Sequence, residues 1–147
     1  MGGTKQGALF GEAVVITNPA LQRDFRYALK QRGGMLAKGW LMGAQFEALL
    51  KDDLYLSLSR HANALALRLR DVLTEMGIPF ASPSPSNQQF PVLPHGVIDK
   101  LLNTYDFGII ERLDDARSTV RFCTSWATRA EDVEALIGDI RALTHAR

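Results

Sequence analysis

The sequence predicts an α/β protein of the α+β-like kind, in which a long helix and covering helices pack with a short, mainly antiparallel sheet. Apolar residues between positions 54 and 76 recur at alternating steps of four and three, which predicts a helix with one buried stripe. Two apolar runs, 107–113 and 120–126, flank a polar segment, which predicts an antiparallel hairpin. The 147 residues, 46% of them apolar and 22% charged, suit a globular chain of about one domain.

The first predicted element is a strand over residues 8–17, which are rich in Ala, Val and Ile. Asn18 then caps a predicted helix over 19–31, because its side chain can accept from a free amide and Pro suits the first helical position. Gly33 and Gly34 are expected to end that helix.

A long helical stretch is expected from about residue 35 to Met76, interrupted at most at 51–53. Gly77 occupies the position of a helix C-cap, and Pro79 lies just beyond it. This stretch is the longest element that the sequence predicts.

The remaining predicted elements are shorter and lead to a closing helix. They are a Pro- and Ser-rich loop at 82–87, a strand at 88–93 that Pro91 interrupts, a helix at 95–105, the hairpin at 107–126, and a helix that Thr128 caps. Since Pro cannot donate to a sheet ladder, the 88–93 strand is expected at an edge.

Composition excludes several classes of function. A formal net charge of +1, with scattered basic residues, gives no electrostatic basis for binding nucleic acid or an anionic membrane. The single cysteine, Cys123, excludes an intramolecular disulfide and a multi-cysteine zinc site, and we expect no metal. Since no apolar run reaches the ~18 residues of a membrane span, a cytoplasmic location is expected.

Lys5 is the first candidate for chemistry. Gly2, Gly3 and Gly7 surround it, and glycine allows another group to approach the main chain closely. Lysine forms Schiff bases with carbonyls once its amine is neutral, although a solvated surface lysine is the alternative for such a turn. A Walker-type phosphate loop is excluded because it needs lysine before Ser or Thr, and here Thr4 precedes Lys5.

Four segments of the chain together resemble one enzyme family. They are GGTKQGALFGEAVV at 2–15, KQRGGMLAK at 30–38, RHAN at 60–63 and TVRFCTSW at 119–126. In this order they resemble the threonine aldolase/β-eliminating lyase family of pyridoxal-phosphate enzymes. The resemblance implies the C-terminal domain of the aspartate-aminotransferase-type fold, a pyridoxal 5'-phosphate cofactor and an amino acid substrate.

The resemblance also implies roles for Lys5 and Arg121. Lys5 matches the lysine that carries the cofactor as a Schiff base, and Arg121 matches the arginine that holds the substrate α-carboxylate. A guanidinium suits that role because its planar fork makes two parallel hydrogen bonds to a carboxylate. The alternative for Arg121 is an exposed strand arginine that pairs with Glu111 or Asp114 across the hairpin.

Arg32 and Lys38 are weaker candidates for binding the cofactor phosphate. Both lie in the Gly-rich stretch that approaches the cofactor or the active-site entrance in the family, partly from a neighbouring subunit. Some relatives carry arginine two positions before Lys38, where this chain has Leu36. The alternative is that both are cations near a helix start on a solvated face.

The length of the chain departs from the family pattern. Family members are more than twice as long, and their lysine lies past the midpoint. The sequence therefore predicts a C-terminal part of such an enzyme, through truncation or a misplaced start, with 1–34 from the large cofactor-binding domain and 35–147 as the small domain. The family's pyridinium aspartate, phosphate loop and ring-stacking histidine precede the lysine, so the chain alone is expected to be inactive.

Two classes of function follow from these residues. The first is a pyridoxal-phosphate-dependent lyase of the low-specificity threonine aldolase type, which cleaves β-hydroxy-α-amino acids to glycine and an aldehyde. β-Elimination from an amino acid is the alternative within that class. The second class is a folded domain that packs or dimerises without catalysis, and in either case a homo-oligomer is expected.

Overall fold

The computed structural model describes residues 1–145. By its internal contacts the chain forms two compact units, an amino-terminal unit, Met1–Ser57, and a carboxy-terminal unit, Leu58–Arg147. The boundary predicted between residues 34 and 35 refers to the domains of a larger enzyme, and it stays a prediction.

Short helices make up the amino-terminal unit. Its elements are 3₁₀ turns at Thr4–Gln6, Pro19–Leu21 and Lys51–Asp53 and the helices α1 (Phe25–Gln31) and α2 (Trp40–Leu50). Among the described residues of this unit, the buried apolar side chains are Ala8, Phe46 and Leu49. The unit therefore has only a small apolar interior of its own.

The strand predicted at 8–17 is wrong. Only an isolated bridge between Gly2 and Glu12 forms there, with the Ala13 amide donating to the Met1 carbonyl over 3.0 Å. A strand needs a neighbouring strand for its backbone groups, and the described part of this unit provides none. Val14 and Val15 are accordingly exposed.

The helix predicted at 19–31 is interrupted. Asn18 does cap its start, accepting from the Ala20 amide over 3.0 Å, but only a 3₁₀ turn follows. Asp24 then adopts a left-handed conformation with φ 56°, which separates that turn from α1. The end of the helix is as predicted, because the Gly34 amide donates to the Leu29 carbonyl and Gly33 has φ 73°.

The predicted long helix consists of α2 and α3 (Leu54–Glu75), but it begins at Trp40 rather than near residue 35; the predicted break at 51–53 is confirmed. Asp52 and Asp53 have positive φ angles of 51° and 62°, so the helix cannot continue through them. Gly77, with φ 75°, ends α3 as expected, and the Ile78 amide donates to the Leu73 carbonyl.

The carboxy-terminal unit contains a four-stranded antiparallel sheet. Its elements after α3 are β1 (Gln88–Gln89), β2 (Val92–Pro94), α4 (His95–Leu101), β3 (Gly108–Arg112), β4 (Arg117–Cys123) and α5 (Ala130–His145). β4 is the central strand: β1 and β2 pair with it along one side, and β3 pairs with it along the other. Pro91 separates β1 from β2, as predicted.

The hairpin is tighter than the sequence predicts, because β4 begins at Arg117 rather than Val120. The Asp114 carboxylate accepts from the Ala116 and Arg117 amides over 2.9 and 2.7 Å and closes the turn. Carboxylates close turns in this way, and apolar periodicity cannot reveal it.

One apolar core fills the carboxy-terminal unit. α3, α4, α5 and the sheet contribute to it, and its side chains include Leu69, Leu73, Leu93, Ile98, Val120 and Ile140. The predicted stripe on α3 is confirmed at Ala62, Leu69 and Val72, but its first member, Leu54, is 43% exposed. No helix in the described part of the chain combines the length and the apolar composition that a membrane span requires.

Candidate active site

Lys5 lies in the 3₁₀ turn Thr4–Gln6, where the surrounding glycines fix the path of the chain. The Gly3 carbonyl accepts from the amides of Gln6 and Ala8, both over 3.0 Å. Gly7 has φ 97°, a conformation that favours glycine. The lysine is exposed at the apex of a turn with a defined backbone.

Polar side chains from α2 and the start of α3 hold this turn. The Leu9 amide donates to Gln45 Oε1 over 2.7 Å, and the Tyr55 hydroxyl donates to the Gly2 carbonyl over 3.0 Å. Sequence reasoning missed both residues, because a lone Gln or Tyr on a helix has no pattern that identifies its distant backbone partner.

Two glycines near Lys5 have no space for a side chain. A Cβ on Gly3 would lie 2.9 Å from the Ala8 Cβ and 3.2 Å from the Phe46 ring. At Gly11, where φ is 95°, a Cβ would lie 2.8 Å from the Met42 sulfur. The segment before α1 therefore packs closely against α2, and this packing explains two of the glycines that crowd the motif.

Arg32 and Lys38 also lie in the amino-terminal unit, and both side chains are exposed. An apolar groove of about 460 Å³ lies beside them between α1 and α2, and its lining includes Phe25, Arg26 and Trp40. Neither Arg32 nor Lys38 lines the groove. The structure places both cations in the same unit as Lys5 and outside the lining of this groove.

Arg121 lies on β4, in the carboxy-terminal unit, and faces away from the core. Its neighbours Val120 and Phe122 are buried whereas Arg121 is exposed, as strand alternation predicts. Gly108 of β3 lies directly opposite Arg121. With the residues that the structure describes, the guanidinium makes no hydrogen bond or ion pair, so its donors are available.

The alternative partners suggested for Arg121 do not pair with it. Asp114 binds Arg117 over 2.7 Å, and that hydrogen bond is the main reason why the pKa of the Asp114 carboxyl lies below its ordinary value. Glu111 lies opposite Thr119 rather than Arg121. Of the alternative reading, the exposed strand position of Arg121 is observed, whereas the pairing with Glu111 or Asp114 is not found among the described residues.

Two buried oxygen atoms lack a partner among the described residues: Gln89 Oε1 and Thr119 Oγ1. Thr119 lies two residues before Arg121 on β4 and, unlike Arg121, is buried. Within residues 1–145, no cluster of His, Cys, Asp or Glu could hold a metal ion.

Comparison with curated proteins relates the chain to threonine aldolases. It is 32% identical over 150 residues to the low specificity L-threonine aldolase of Pseudomonas aeruginosa, covering 99% of this chain and 41% of the relative. It is 31% identical, with the same coverage, to the enzyme of that name from Pseudomonas sp. strain NCIMB 10558. The chain thus spans about two fifths of the length of these relatives. No family model matches it.

Comparison with solved structures also relates the chain to a threonine aldolase. The threonine aldolase of Leishmania major superposes with a TM-score of 0.80 at 42% identity, covering 87% of this chain and 37% of that one. The 8-amino-7-oxononanoate synthase of Francisella tularensis superposes with a TM-score of 0.58 at 15% identity, covering 87% and 40%, and shows the fold alone. The predicted fold class and the predicted resemblance to the threonine aldolase family are confirmed.

Proposed function

We propose, from the homology of this chain with the threonine aldolases, that it belongs to a pyridoxal-phosphate-dependent lyase that cleaves β-hydroxy-α-amino acids to glycine and an aldehyde. The observation that carries the proposal is the sequence relationship to low specificity L-threonine aldolases over 99% of the chain. The likeness to the Leishmania major enzyme, at 42% identity, supports it independently.

Lys5 fits the covalent attachment of pyridoxal phosphate. Attachment needs a primary amine that is accessible and not held by a carboxylate, and Lys5 is exposed and makes no ion pair with a described residue. The turn that carries it is fixed by backbone hydrogen bonds, so the amine leaves the chain from a defined point. Once bound, the cofactor supplies an electron sink for the substrate.

Arg32 and Lys38 are the proposed contacts for the cofactor phosphate. Both are exposed cations in the same unit as Lys5, and cationic side chains bind phosphate through charge-assisted hydrogen bonds. The support for this assignment is their charge and accessibility.

Arg121 is the proposed contact for the substrate α-carboxylate. β4 is the central strand of the sheet and carries Val120 and Phe122 in the core, so the base of the arginine is held rigidly. Its unpaired guanidinium can give a carboxylate two parallel hydrogen bonds. An amino acid bound there is oriented by its carboxylate before any bond changes.

A homo-oligomer is part of the proposal. The amino-terminal unit exposes large apolar side chains, among them Leu9, Val14, Val15, Leu21 and Trp40. Apolar surface of this kind usually marks an interaction site. Light scattering of the purified chain should therefore show a mass above that of one 16.3 kDa chain, and a monomer at all concentrations would contradict this.

The assignment of Lys5 can be tested on the 147-residue chain. The chain is incubated with pyridoxal phosphate, reduced with borohydride and digested, and the pyridoxyl label is mapped by mass spectrometry. We expect the label on Lys5, and its loss in Lys5→Arg, whereas the matched variant Lys51→Arg, at an exposed lysine with no proposed role, keeps the label. A label on Lys30, Lys51 or Lys100 instead would show that the assignment of Lys5 is wrong.

The reaction is tested in the longest natural protein that contains this sequence. Threonine should yield acetaldehyde and glycine, and Lys5→Ala should abolish both products. Release of pyruvate and ammonia from a β-substituted alanine, without acetaldehyde from threonine, would favour the β-eliminating alternative. A protein that neither takes up the cofactor nor turns over either substrate would favour a non-catalytic packing domain.

A further inference from the structure

A glycine and an isoleucine of β3 lie at one point beside Arg121, and the isoleucine belongs to a β-bulge. Gly108 pairs with Arg121 and Ile109 with Val120, but Glu111 pairs with Thr119, so Ile110 is the extra residue. A Cβ on Gly108 would lie 3.7 Å from Arg121 Nη2, 3.9 Å from Arg121 Nε and 3.8 Å from Ile110 Cδ1. The guanidinium and the end of the isoleucine side chain therefore flank the same space, above a residue with no side chain.

The two nitrogen atoms at this point have a defined chemical role. Nε and Nη2 form one edge of the guanidinium, and two parallel hydrogen bonds from one edge are what a carboxylate accepts. A side chain on residue 108 would begin next to both donors. Glycine leaves this space open.

The backbone does not explain why residue 108 is glycine. Its φ lies outside the left-handed region that favours glycine, unlike that of Gly77. A Cβ at 3.7–3.9 Å from its neighbours would make ordinary contacts, so alanine fits. Only a larger side chain would reach the space beside the two nitrogens.

The bulge leaves Ile110 without a partner in the ladder. Without the extra residue, strand alternation would place Ile110 opposite Thr119, one pair further along the ladder. Bulges re-aim side chains next to functional sites. Ile110, which is 50% exposed, borders the same space as the guanidinium, and an apolar group there excludes water and strengthens hydrogen bonds to a bound anion.

We propose that Gly108 and Ile110 are positioning residues that shape the carboxylate subsite of Arg121. Gly108 keeps the Nε–Nη2 edge accessible, and Ile110 bounds and partly dehydrates it. The inference rests on the proposed role of Arg121 and extends it to substrate preference: the subsite selects ligands with a free carboxylate over their amides.

The test follows the Nε–Hε resonance of Arg121 by ¹⁵N NMR in the 147-residue chain, assigned by its loss in Arg121→Lys. Glycine, the smallest amino acid, should shift the resonance, and glycinamide, which lacks the carboxylate, should not. Gly108→Val should weaken the apparent affinity for glycine by about tenfold, equivalent to losing ~1.4 kcal/mol. Gly108→Ala should change it by less than about twofold, since the Cβ makes only ordinary contacts.

Further variants separate this role from a general effect on folding. Ile109→Val alters the residue that pairs with Val120 rather than Arg121 and should leave glycine binding unchanged. Gly108→Ser adds a small hydroxyl that can accept from Nε or Nη2, so it should weaken glycine binding even if Gly108→Val fails to fold. Ile110→Ala should weaken glycine binding while preserving the preference over glycinamide.

The possible outcomes distinguish this inference from the proposed function. If glycine shifts the wild-type resonance and both Gly108→Val and Gly108→Ser bind glycine equally well, the positioning role is wrong and the role of Arg121 stands. If glycine and glycinamide act alike on the wild-type chain, or neither acts, the carboxylate role of Arg121 fails and this inference fails with it.

Discussion

The two units of the chain hold their candidate residues by different means. The amino-terminal unit buries the apolar side chains of Ala8, Phe46 and Leu49, whereas the carboxy-terminal unit has a continuous core drawn from three helices and the sheet. Lys5 accordingly depends on hydrogen bonds and on glycines that permit close packing. Arg121 depends on a central strand whose alternate side chains are buried.

This difference predicts how far the effect of a substitution spreads. A defect in the carboxy-terminal core should reduce the stability of the whole unit, because its side chains pack against one another. A defect in the Lys5 turn should act locally, since the unit that carries it has only a small apolar interior. Stability and cofactor labelling therefore measure different parts of the molecule.

The largest expected effect is on the core. Leu73 is 0% exposed, and Leu73→Ala should lower the free energy of unfolding by about 3 kcal/mol because it leaves a cavity. Leu41 is 44% exposed on α2, and the same substitution there should cost less than about 0.5 kcal/mol. Urea denaturation followed by circular dichroism measures both, and equal losses would contradict the role of burial in the carboxy-terminal core.

A smaller and more local effect is expected at Gly3. Gly3→Ala forces a Cβ to within 2.9 Å of the Ala8 Cβ, and overpacking of this kind costs about 1–3 kcal/mol. The turn should shift, and borohydride labelling of Lys5 by pyridoxal phosphate should slow. The urea transition of the carboxy-terminal unit should not change.

Gly43 supplies the matched control for that experiment. A Cβ there meets nothing within 4 Å, and alanine inside a helix is preferred over glycine by about 1 kcal/mol. Gly43→Ala should therefore keep the labelling rate and slightly stabilise α2. If both variants label Lys5 at the wild-type rate, the close packing at Gly3 does not position the lysine.

The sequence predicted the carboxy-terminal unit better than the amino-terminal one, and the reason is physical. The stripe on α3, the cap at Gly77 and the alternation around Arg121 are local patterns that a packed core reinforces. The strand predicted at 8–17 failed because apolar, β-branched residues form a strand only beside a partner strand. Apolar composition alone does not reveal whether that partner exists.

The candidate site shows the same limit. The resemblance suggested Lys5 and Arg121, and their roles stay predictions; the structure shows a glycine-flanked turn at the first and an exposed strand position at the second. The contacts that shape those settings were not predictable, because Tyr55 reaches Gly2 across 53 positions of the chain. The bulge at Ile110 likewise depends on strand register, which no short motif encodes.

The smallest expected effect concerns pH and belongs to the carboxy-terminal unit. The Tyr105 hydroxyl donates to the Asp139 carboxylate over 2.6 Å. Burial, together with this hydrogen bond, raises the pKa of Tyr105 from 10.0 to about 12. Because the folded pKa is raised, the stabilisation is fully present below pH 10 and is lost as pH rises from 10 to about 12.

Tyr105→Phe isolates this contribution. It should lower the free energy of unfolding by about 1 kcal/mol at pH 8, the usual value for one hydrogen bond. This difference in stability between wild type and variant should shrink as pH rises above 10, because the wild-type phenol ionises. Urea denaturation at pH 8, 9, 10 and 11 measures this difference, and tyrosinate absorbance at 295 nm follows the ionisation. In the variant, Asp139 has lost this partner but lies near the surface, so the loss adds little further destabilisation. A gap between wild type and variant that stays constant over this range would show that Tyr105 acts through its ring packing and not through its hydrogen bond to Asp139.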